Sequence, residues 1–333
     1  MNASWGIIGH DWAVELLAAR LAHGRAGPPV LFTGPDGVGR TALARAYAQA
    51  LNCTSAERPC GHCRACTLIA AGKHPDVQIV TPQIGGKVVI TEEIKVDQVR
   101  QLLHEVALTP VEARQRVAIL RRFETANTAA ANALLKTLEE PPPHATLLLT
   151  ARAADDLWPT VVSRCQVIPL RPLPIDLVRE ALVTRWGVEA ETAERLAHFS
   201  GGRLGWAVRA AQDPAVIERR EEALDLLAQI LQGTRVERFA HAEKLARDPL
   251  RLRAVLDGWI AWWRDVLLVA SGSAAPLAHP QRGEALRAQA EGLGVAAAAA
   301  ALNATCRARE RLERNAQARL VVEVLMLDLP RGG

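Results

Sequence analysis

Apolar and polar residues follow each other along the first half of the chain in a pattern that predicts strands separated by helices. Short apolar runs such as Val30-Leu31-Phe32 and Val117-Ala118-Ile119-Leu120 are typical of buried strands. The pattern predicts five strands, at 30–32, 77–80, 117–120, 146–150 and 166–170. Because helical segments connect them, we expect a parallel sheet and an α/β domain.

The spacing of apolar residues also predicts the helices and the limits of the domains. Helices are expected in the first region at 12–22, 41–51, 96–106 and 125–138, and Gly85-Gly86 indicates a hairpin. Strand patterns end before Pro174, and helices are expected at 175–186, 190–199 and 204–212. A further helical region begins at Pro214, with breaks near 233, 248–249, 272–280 and 292–294. We therefore expect three domains, at 1–172, 173–213 and 214–333.

Composition adds little to this picture. The chain has 333 residues, of which 49% are apolar, and 40 basic side chains nearly balance 36 acidic ones. A net charge of +4 gives no argument by itself for a nucleic-acid-binding protein. The sequence has neither a charged leader followed by an apolar stretch nor an apolar run of about 18 residues, so we expect a cytoplasmic protein.

A glycine-rich loop follows the first predicted strand and precedes a predicted helix. Its spacing, from Gly34 through Gly37 and Gly39 to Arg40 and Thr41, is that of a loop whose backbone amides surround phosphates. Arginine takes the place of the usual lysine, and a planar guanidinium does not replace a compact ammonium. Thr41 is the residue that would bind magnesium beside a nucleotide. Nucleotide binding and a purely structural turn both remain open.

The end of the third predicted strand is unusual for a nucleotide-hydrolysing protein. After Leu120 we expect an Asp-Glu pair that holds magnesium and polarises the attacking water, but the chain has Arg121 and Arg122. Phosphoryl transfer depends on metal ions and positioning groups. The sequence therefore predicts an NTPase-like fold that does not hydrolyse nucleotide.

Four of the six cysteines lie within fourteen residues and predict a metal site. Thiolates with this spacing can close a tetrahedral zinc site, and four sulfur ligands leave no position for catalysis. An iron–sulfur cluster and four reduced thiols are the alternatives, and we expect the flanking His62 and His74 to be surface residues. The expected ligands of the zinc module at about 53–66 are Cys53, Cys60, Cys63 and Cys66.

Two further groups of residues allow a functional and a structural interpretation. Arg164, within Ser163-Arg164-Cys165, lies just before the last predicted strand and is either a solvated arginine or an arginine finger for a neighbouring subunit. Trp259, Trp262 and Trp263 recur at helical spacing without interleaved basic residues. We therefore expect them to pack in a core or an interface rather than to stack on bases.

Taken together, these motifs resemble the bacterial clamp-loader family, the AAA+ proteins of the DNA polymerase III holoenzyme. The resemblance covers essentially the whole chain, and the run from Asn132 to Pro142 is its most specific part. It implies an AAA+ P-loop domain with an embedded zinc module, a helical lid and a helical collar that oligomerises. The motifs, in the order of the family, are Ile8-Gly9-His10, the glycine loop, the four cysteines, Asn132-Ala133-Leu134-Leu135-Lys136-Thr137-Leu138-Glu139-Glu140-Pro141-Pro142 and Ser163-Arg164-Cys165.

Within this family the resemblance distinguishes two kinds of subunit. A motor subunit, gamma or tau, needs the loop lysine, the acidic pair and a sensor arginine, and here these positions hold Arg40, Arg121-Arg122 and Gly205. The three losses favour a stator that does not hydrolyse ATP and presents Arg164 to ATP bound by a partner.

The partners implied for such a stator are the gamma/tau and delta subunits, with the sliding clamp and primer-template DNA reached through the hetero-oligomer. The expected cofactor is structural Zn²⁺, and binding of ATP or ADP stays open. A gamma/tau-like ATPase motor and a stand-alone zinc-dependent DNA-binding protein are the alternative functions.

Overall fold

Residues 5–22, 27–85, 91–213, 215–314 and 316–330 are described by the computed structural model. Contacts divide the chain into a first unit, Met1–Leu177 with Arg203–Trp206, and a second unit, Val178–Gly202 with Ala207–Gly333. The division into three domains, at 172 and 213, remains a prediction.

A five-stranded sheet forms the centre of the first unit, and its strands are all parallel. The strand order is β2-β5-β6-β1-β7, so β1 pairs with β6 on one side and β7 on the other. This confirms the predicted α/β fold with a parallel sheet. The strands of the described residues are β1 (Val30–Thr33), β2 (Val77–Val80), β3 (Gln83–Gly85), β4 (Thr91–Glu93), β5 (Arg116–Leu120), β6 (Ala145–Ala151) and β7 (Gln166–Pro169).

A separate hairpin lies after β2. Strands β3 and β4 pair antiparallel, with Gln83 opposite Glu93 and Gly85 opposite Thr91. The hairpin predicted from Gly85-Gly86 is therefore confirmed, although Gly86 itself lies outside the described residues.

Helices cover both faces of the parallel sheet. Along β1 the side chains alternate: Val30 and Phe32 pack into the core that includes α1 and α2, and Leu31 packs into the core that includes α4 and α5. Burial on both faces explains why these strands are continuous apolar runs rather than alternating ones. The helices of this unit are α1 (Asp11–Ala22), α2 (Arg40–Asn52), α3 (Arg64–Ala70), α4 (Val96–Ala107), α5 (Thr128–Glu139) and α6 (Pro159–Val162).

Two helices of the first unit differ from the sequence-based prediction. Helix α5 begins at Thr128 rather than near Thr125, because the Asn127 side chain accepts a hydrogen bond from the Ala130 amide at 2.8 Å and caps the helix. Residues Phe123–Thr125 form a short 3₁₀ turn instead. Helix α3 was not predicted, since the last two cysteines of the cluster obscure its short apolar pattern.

The second unit is helical throughout the residues described. Its long helix α13 contains one residue with non-helical backbone angles, Gly294, at φ 69° and ψ 175°. The break predicted at 292–294 is therefore confirmed. No described helix is both long enough and apolar enough to cross a membrane. The remaining helices, numbered on from α6, are α7 (Ile175–Trp186), α8 (Ala190–Ser200), α9 (Leu204–Ala211), α10 (Ala215–Gln232), α11 (Arg235–Ala246), α12 (Pro249–Ala270), α13 (Gly283–Glu313) and α14 (Ala318–Asp328).

Three tryptophans of α12 form the centre of the second unit. Trp259 and Trp263 are fully buried, and Trp262 is nearly so. The indole nitrogen of Trp259 donates a hydrogen bond to the Ala223 carbonyl at 2.7 Å, and that of Trp262 donates to Gln289 at 2.7 Å. The tryptophans therefore belong to the core, as their spacing without basic neighbours predicted.

A buried arginine ties the end of the chain to α11. The Arg238 side chain is buried, and its guanidinium donates hydrogen bonds to four carbonyl oxygens. These carbonyls belong to the ends of two other helices and the residues after them, where intrahelical donors are missing. The acceptors are Leu231 at 3.0 Å, Met326 at 3.1 Å, Leu329 at 3.2 Å and Pro330 at 2.9 Å.

Replacing Arg238 by alanine is expected to destabilise the second unit strongly. The four carbonyls would lose their donor in a buried place, which lowers the free energy of unfolding by roughly 2–4 kcal/mol. Urea denaturation of the full chain measures the change. Arg235→Ala removes an exposed arginine of the same helix and is the matched control, expected within about 0.5 kcal/mol of the parent. Equal effects of the two substitutions would contradict this structural role.

Candidate functional site

The glycine loop runs from the end of β1 to the start of α2. Gly34, Gly37 and Gly39 have φ values of 139°, 85° and 118°, in the region that other residues rarely adopt. A Cβ on Gly34 would also lie 2.4 Å from the Leu170 carbonyl oxygen. The glycines predicted as a phosphate loop are therefore required by the backbone, and the loop leads into the N-terminus of a 13-residue helix.

Arg40 turns back toward its own loop. Its side chain is only 7% exposed and forms an ion pair with Asp36, which is itself 55% exposed. The Nη1 atom of Arg40 is buried and has no hydrogen-bond partner among the described residues. Thr41, the candidate magnesium ligand, follows it in α2 and is half-buried. The loop cation is thus held in place by a carboxylate of the same chain.

The two arginines after β5 lie at the same edge of the sheet as the loop. The Arg121 amide donates a hydrogen bond to the Val80 carbonyl at 2.9 Å. Arg122 has a φ of 53°, and its amide donates to the Thr150 hydroxyl at 2.9 Å. Both residues therefore occupy the strand end where the resemblance expects an acidic pair.

A buried carboxylate that sequence reasoning missed lies beside these arginines. The Glu124 side chain is 4% exposed, and its Oε1 atom is 3.9 Å from Arg122 Nε and 3.8 Å from Arg152 Nε. Burial raises the pKa of Glu124, and the positive charges of Arg40, Arg152 and Arg122 act in the opposite direction. Neither carboxylate oxygen has a hydrogen-bond partner among the described residues. No motif spacing marks this residue in the sequence.

The segment Arg203–Trp206 packs against the glycine loop. The Gly205 amide donates a hydrogen bond to the Gly37 carbonyl at 2.7 Å. A Cβ on Gly37 would lie 2.8 Å from the Trp206 amide nitrogen. Gly205, the position at which the resemblance expects a sensor arginine, therefore contacts the loop through its backbone.

The structure brings the four cysteines of the predicted metal site together. Their Sγ atoms all lie within 4.8 Å of one another, and those of Cys53 and Cys63 are 3.9 Å apart. Four thiolates about 2.3 Å from one ion place the sulfurs roughly 3.8 Å apart in a tetrahedron. Cys53 follows the last residue of α2 and Cys66 lies in α3, so the site joins two helices. The cluster can therefore hold one metal ion without an open coordination position.

Backbone amides around the cluster favour the charged form of its sulfurs. The Cys60 amide lies 3.4 Å from Cys53 Sγ, and the Cys63 amide lies 3.3 Å from Cys60 Sγ. Amides of Cys66 and Thr54 lower the pKa of the Cys63 thiol to about 5. Burial raises the pKa of Cys66 to about 12, an effect that a bound cation would oppose by favouring the thiolate.

The two histidines near the cluster play different structural roles. His62 is exposed, as predicted, and hydrogen-bonds the Cys60 carbonyl at 2.8 Å. The prediction of a surface position is wrong for His74, which is 4% exposed. Its Nδ1 atom accepts a hydrogen bond from the Asp76 amide at 3.1 Å. Neither histidine is among the residues that the structure groups as possible metal ligands, which are the four cysteines.

Arg164 lies at the opposite edge of the sheet from the glycine loop. It lies between α6 and β7, two residues before Gln166, the first residue of β7, which pairs with Val30. Its Nε donates a hydrogen bond to Glu139 at 2.7 Å, and its Nη1 donates to the Thr160 carbonyl at 2.8 Å. An open concavity of about 640 Å³ adjoins it. Arg164 therefore lies too far along the sheet to reach its own loop.

Cys165, next to Arg164, is not a candidate nucleophile. Burial raises the pKa of its thiol to about 12, so the reactive thiolate is scarce at neutral pH. Its side chain packs against the core that includes α4 and α5.

Comparison with known proteins identifies the relatives of the chain. A family model described as "DNA polymerase III, delta subunit" matches residues 9–174. A Pseudomonas aeruginosa protein named DNA polymerase III subunit delta' is 35% identical over 254 residues, 74% of this chain and 72% of that protein. A Bacillus subtilis protein of the same name is 25% identical over 96% of this chain and 95% of the relative. Escherichia coli subunit tau is 33% identical, over 53% of this chain and 26% of its own length.

The cysteine cluster yields a prediction about metal content and stability. Protein prepared without chelator is expected to contain about one metal ion per chain by elemental analysis. Cys63→Ser removes one of the four sulfur ligands, so it should lose most of the metal and lower the melting temperature of the first unit.

Cys306→Ser is the matched control, because Cys306 is an exposed cysteine outside the cluster. It should keep both the metal and the melting temperature. If the parent protein contained no metal, and Cys63→Ser left its stability unchanged, the four residues would be only reduced thiols.

Proposed function

The chain belongs to the DNA polymerase III subunit delta' family, and we propose that it acts as the non-hydrolysing stator of the clamp loader. In this role it assembles with the gamma/tau and delta subunits and supports ATP-driven loading of the sliding clamp on primed DNA. The observation that carries the proposal is the arginine pair Arg121-Arg122 at the strand end beside the glycine loop.

The charges around the loop argue against hydrolysis by this subunit. Mg²⁺ at a phosphoryl-transfer site is held by carboxylate and hydroxyl oxygens. Here the positive charges of Arg40, Arg122 and Arg152 act on the buried Glu124, and Arg121 directly precedes Arg122. A divalent cation would be repelled by these guanidinium groups. Nucleotide binding is not needed for the proposed role.

Arg164 is the residue through which the stator would contribute to catalysis. The glycine loop follows the C-terminal end of β1, whereas Arg164 precedes β7, which is parallel to β1. A four-residue strand spans roughly 13 Å, so the two sites are on opposite edges of the sheet. The guanidinium is therefore placed to act in trans, on ATP bound by a partner.

The present partner of Arg164 does not prevent this role. Its side chain is 32% exposed and that of Glu139 is 51% exposed. Ion pairs between exposed groups contribute only about 0.2–1 kcal/mol. The γ-phosphate of a neighbouring subunit, with more negative charge than one carboxylate, can replace Glu139 at little cost.

An apolar stripe on α14 supports assembly through the last helices. Leu320 is 56% exposed, Val324 is 41% exposed and Leu327 is 57% exposed. Residues at this spacing share one face of a helix. A helix with buried residues on one side and apolar residues exposed on the other is suited to pack against a further subunit.

Zinc is the metal that the four-cysteine cluster would hold. Zn²⁺ prefers tetrahedral thiolate sites, and four sulfur ligands leave no place for water or substrate. Its proposed role is therefore structural: it would fix the end of α2, whose first turn belongs to the glycine loop, against α3.

We predict that the isolated chain has no ATPase activity above background. Arg121 and Arg122 bring positive charge where magnesium must bind, so Arg40→Lys alone should not create activity. Phosphate release with the purified chain measures this. Turnover that disappears in Thr41→Ala would refute the prediction and favour the gamma/tau-like motor.

We also predict that Arg164→Ala lowers the activity of the reconstituted loader. The subunit should assemble and keep its metal, but DNA-stimulated ATP hydrolysis and clamp loading should fall. An arginine finger contributes roughly 10³–10⁵ in rate at one GTPase site. The loss should be partial, because the other ATP sites of the ring keep their own fingers.

Two control variants sharpen the Arg164 experiment. Arg171→Ala removes an exposed arginine near the opposite end of β7 and should leave both rates unchanged. Glu139→Gln removes the carboxylate that holds Arg164 and should keep the finger active. If Arg164→Ala assembles and both rates stay normal, the stator makes no catalytic contribution through this residue.

A further inference from the structure

The buried Glu124 has an environment that the proposed function does not explain. It is a carboxylate with 4% exposure in a cluster of arginines, and neither of its oxygens has a hydrogen-bond partner among the described residues. An ionised carboxylate in a buried place is strongly unfavourable unless opposite charges compensate it. Arg122 and Arg152 lie 3.8–3.9 Å away and supply that compensation.

The negative charge of Glu124 in turn compensates the positive charge of the nearby arginines. Arg40 is 7% exposed and begins α2, where the helix dipole adds positive potential. Its ion-pair partner, Asp36, is more than half exposed and therefore screened by water. Arg152 has a further acidic partner, Asp156, 3.9 Å away, which is 41% exposed and likewise screened by water. Removing Glu124 would therefore take away the buried negative charge near these arginines.

Phosphate groups normally supply negative charge at this position in a glycine loop. Backbone amides, a basic side chain and a helix N-terminus together attract an anion. In this chain the loop and the helix are retained, Asp36 pairs with Arg40, and Glu124 adds a buried negative charge at the same edge of the sheet. A bound phosphate would then face the like charge of the buried Glu124, which disfavours it.

We propose that Glu124 replaces the phosphates of a nucleotide within the protein and excludes anionic ligands from the glycine loop. The inference rests on the proposed function only in taking Gly34–Thr41 as a former nucleotide loop. The clamp-loading role does not depend on it. Glu124 thereby sets the specificity of the loop.

Ligand binding to the full chain tests the proposal, with ATP, ADP and inorganic phosphate as probes in calorimetry. The parent protein should show no binding at millimolar concentrations. Glu124→Gln keeps the shape but removes the charge, so the variant should bind phosphate or nucleotide at least about tenfold more tightly than the parent. Adding Arg40→Ala should abolish this new binding.

Asp36→Asn is the matched control, because Asp36 is the other carboxylate beside Arg40. It should not gain phosphate binding to the same extent, since its charge is exposed and already screened. Equal gains in both variants would show that Glu124 has no special role. The proposal would be overturned if Glu124→Gln folded but bound none of the three probes. Tight nucleotide binding by the parent would overturn it as well.

A folding defect in Glu124→Gln gives a second test. If the variant unfolds at low salt, phosphate should restore its folding at concentrations where chloride of equal ionic strength does not. Lack of such a rescue would overturn the proposal. These measurements use the isolated chain, so they are independent of loader assembly and of the Arg164 experiment, which test the proposed function.

Discussion

The position of β1 between β6 and β7 is the constraint on which the arrangement of the first unit depends. All four residues of β1 are buried, and both neighbours run parallel to it. Parallel strands bring equivalent chain ends to the same edge of the sheet. The glycine loop and the residues after β5 and β6 therefore meet at one edge, and the residues before β1 and β7 meet at the other.

This separation gives the two edges different chemistry. At the edge with the loop, the buried carboxylate of Glu124 lies beside the partly exposed guanidinium groups of Arg122 and Arg152. At the other edge, Arg164 remains partly exposed beside an open concavity. The two edges therefore present different groups: a glycine loop near a buried carboxylate at one, and an arginine beside a concavity at the other.

The sequence predicted most of the strands and helices because burial on both faces of the sheet makes each strand an unbroken apolar run. It also predicted the cysteine site, since ligand spacing is a local property. It did not predict α3, because seven residues make only about two helical turns, too short for a clear helical period, and one of them is a metal-ligand candidate. Nor did it identify Glu124, because the arginines that compensate it come from three separate parts of the chain. A balanced net charge conceals such a local cluster.

The contact between Gly205 and Gly37 limits which residues can stand at position 205. A Cβ on residue 205 would lie 2.9 Å from the Gly37 carbonyl oxygen, a distance at which the backbone itself must move. An arginine at this position, which the resemblance to a motor subunit would require, therefore needs a shift of the backbone as well as a substitution. The path of the chain beside the loop thus acts as a filter on the residues that position 205 can accept.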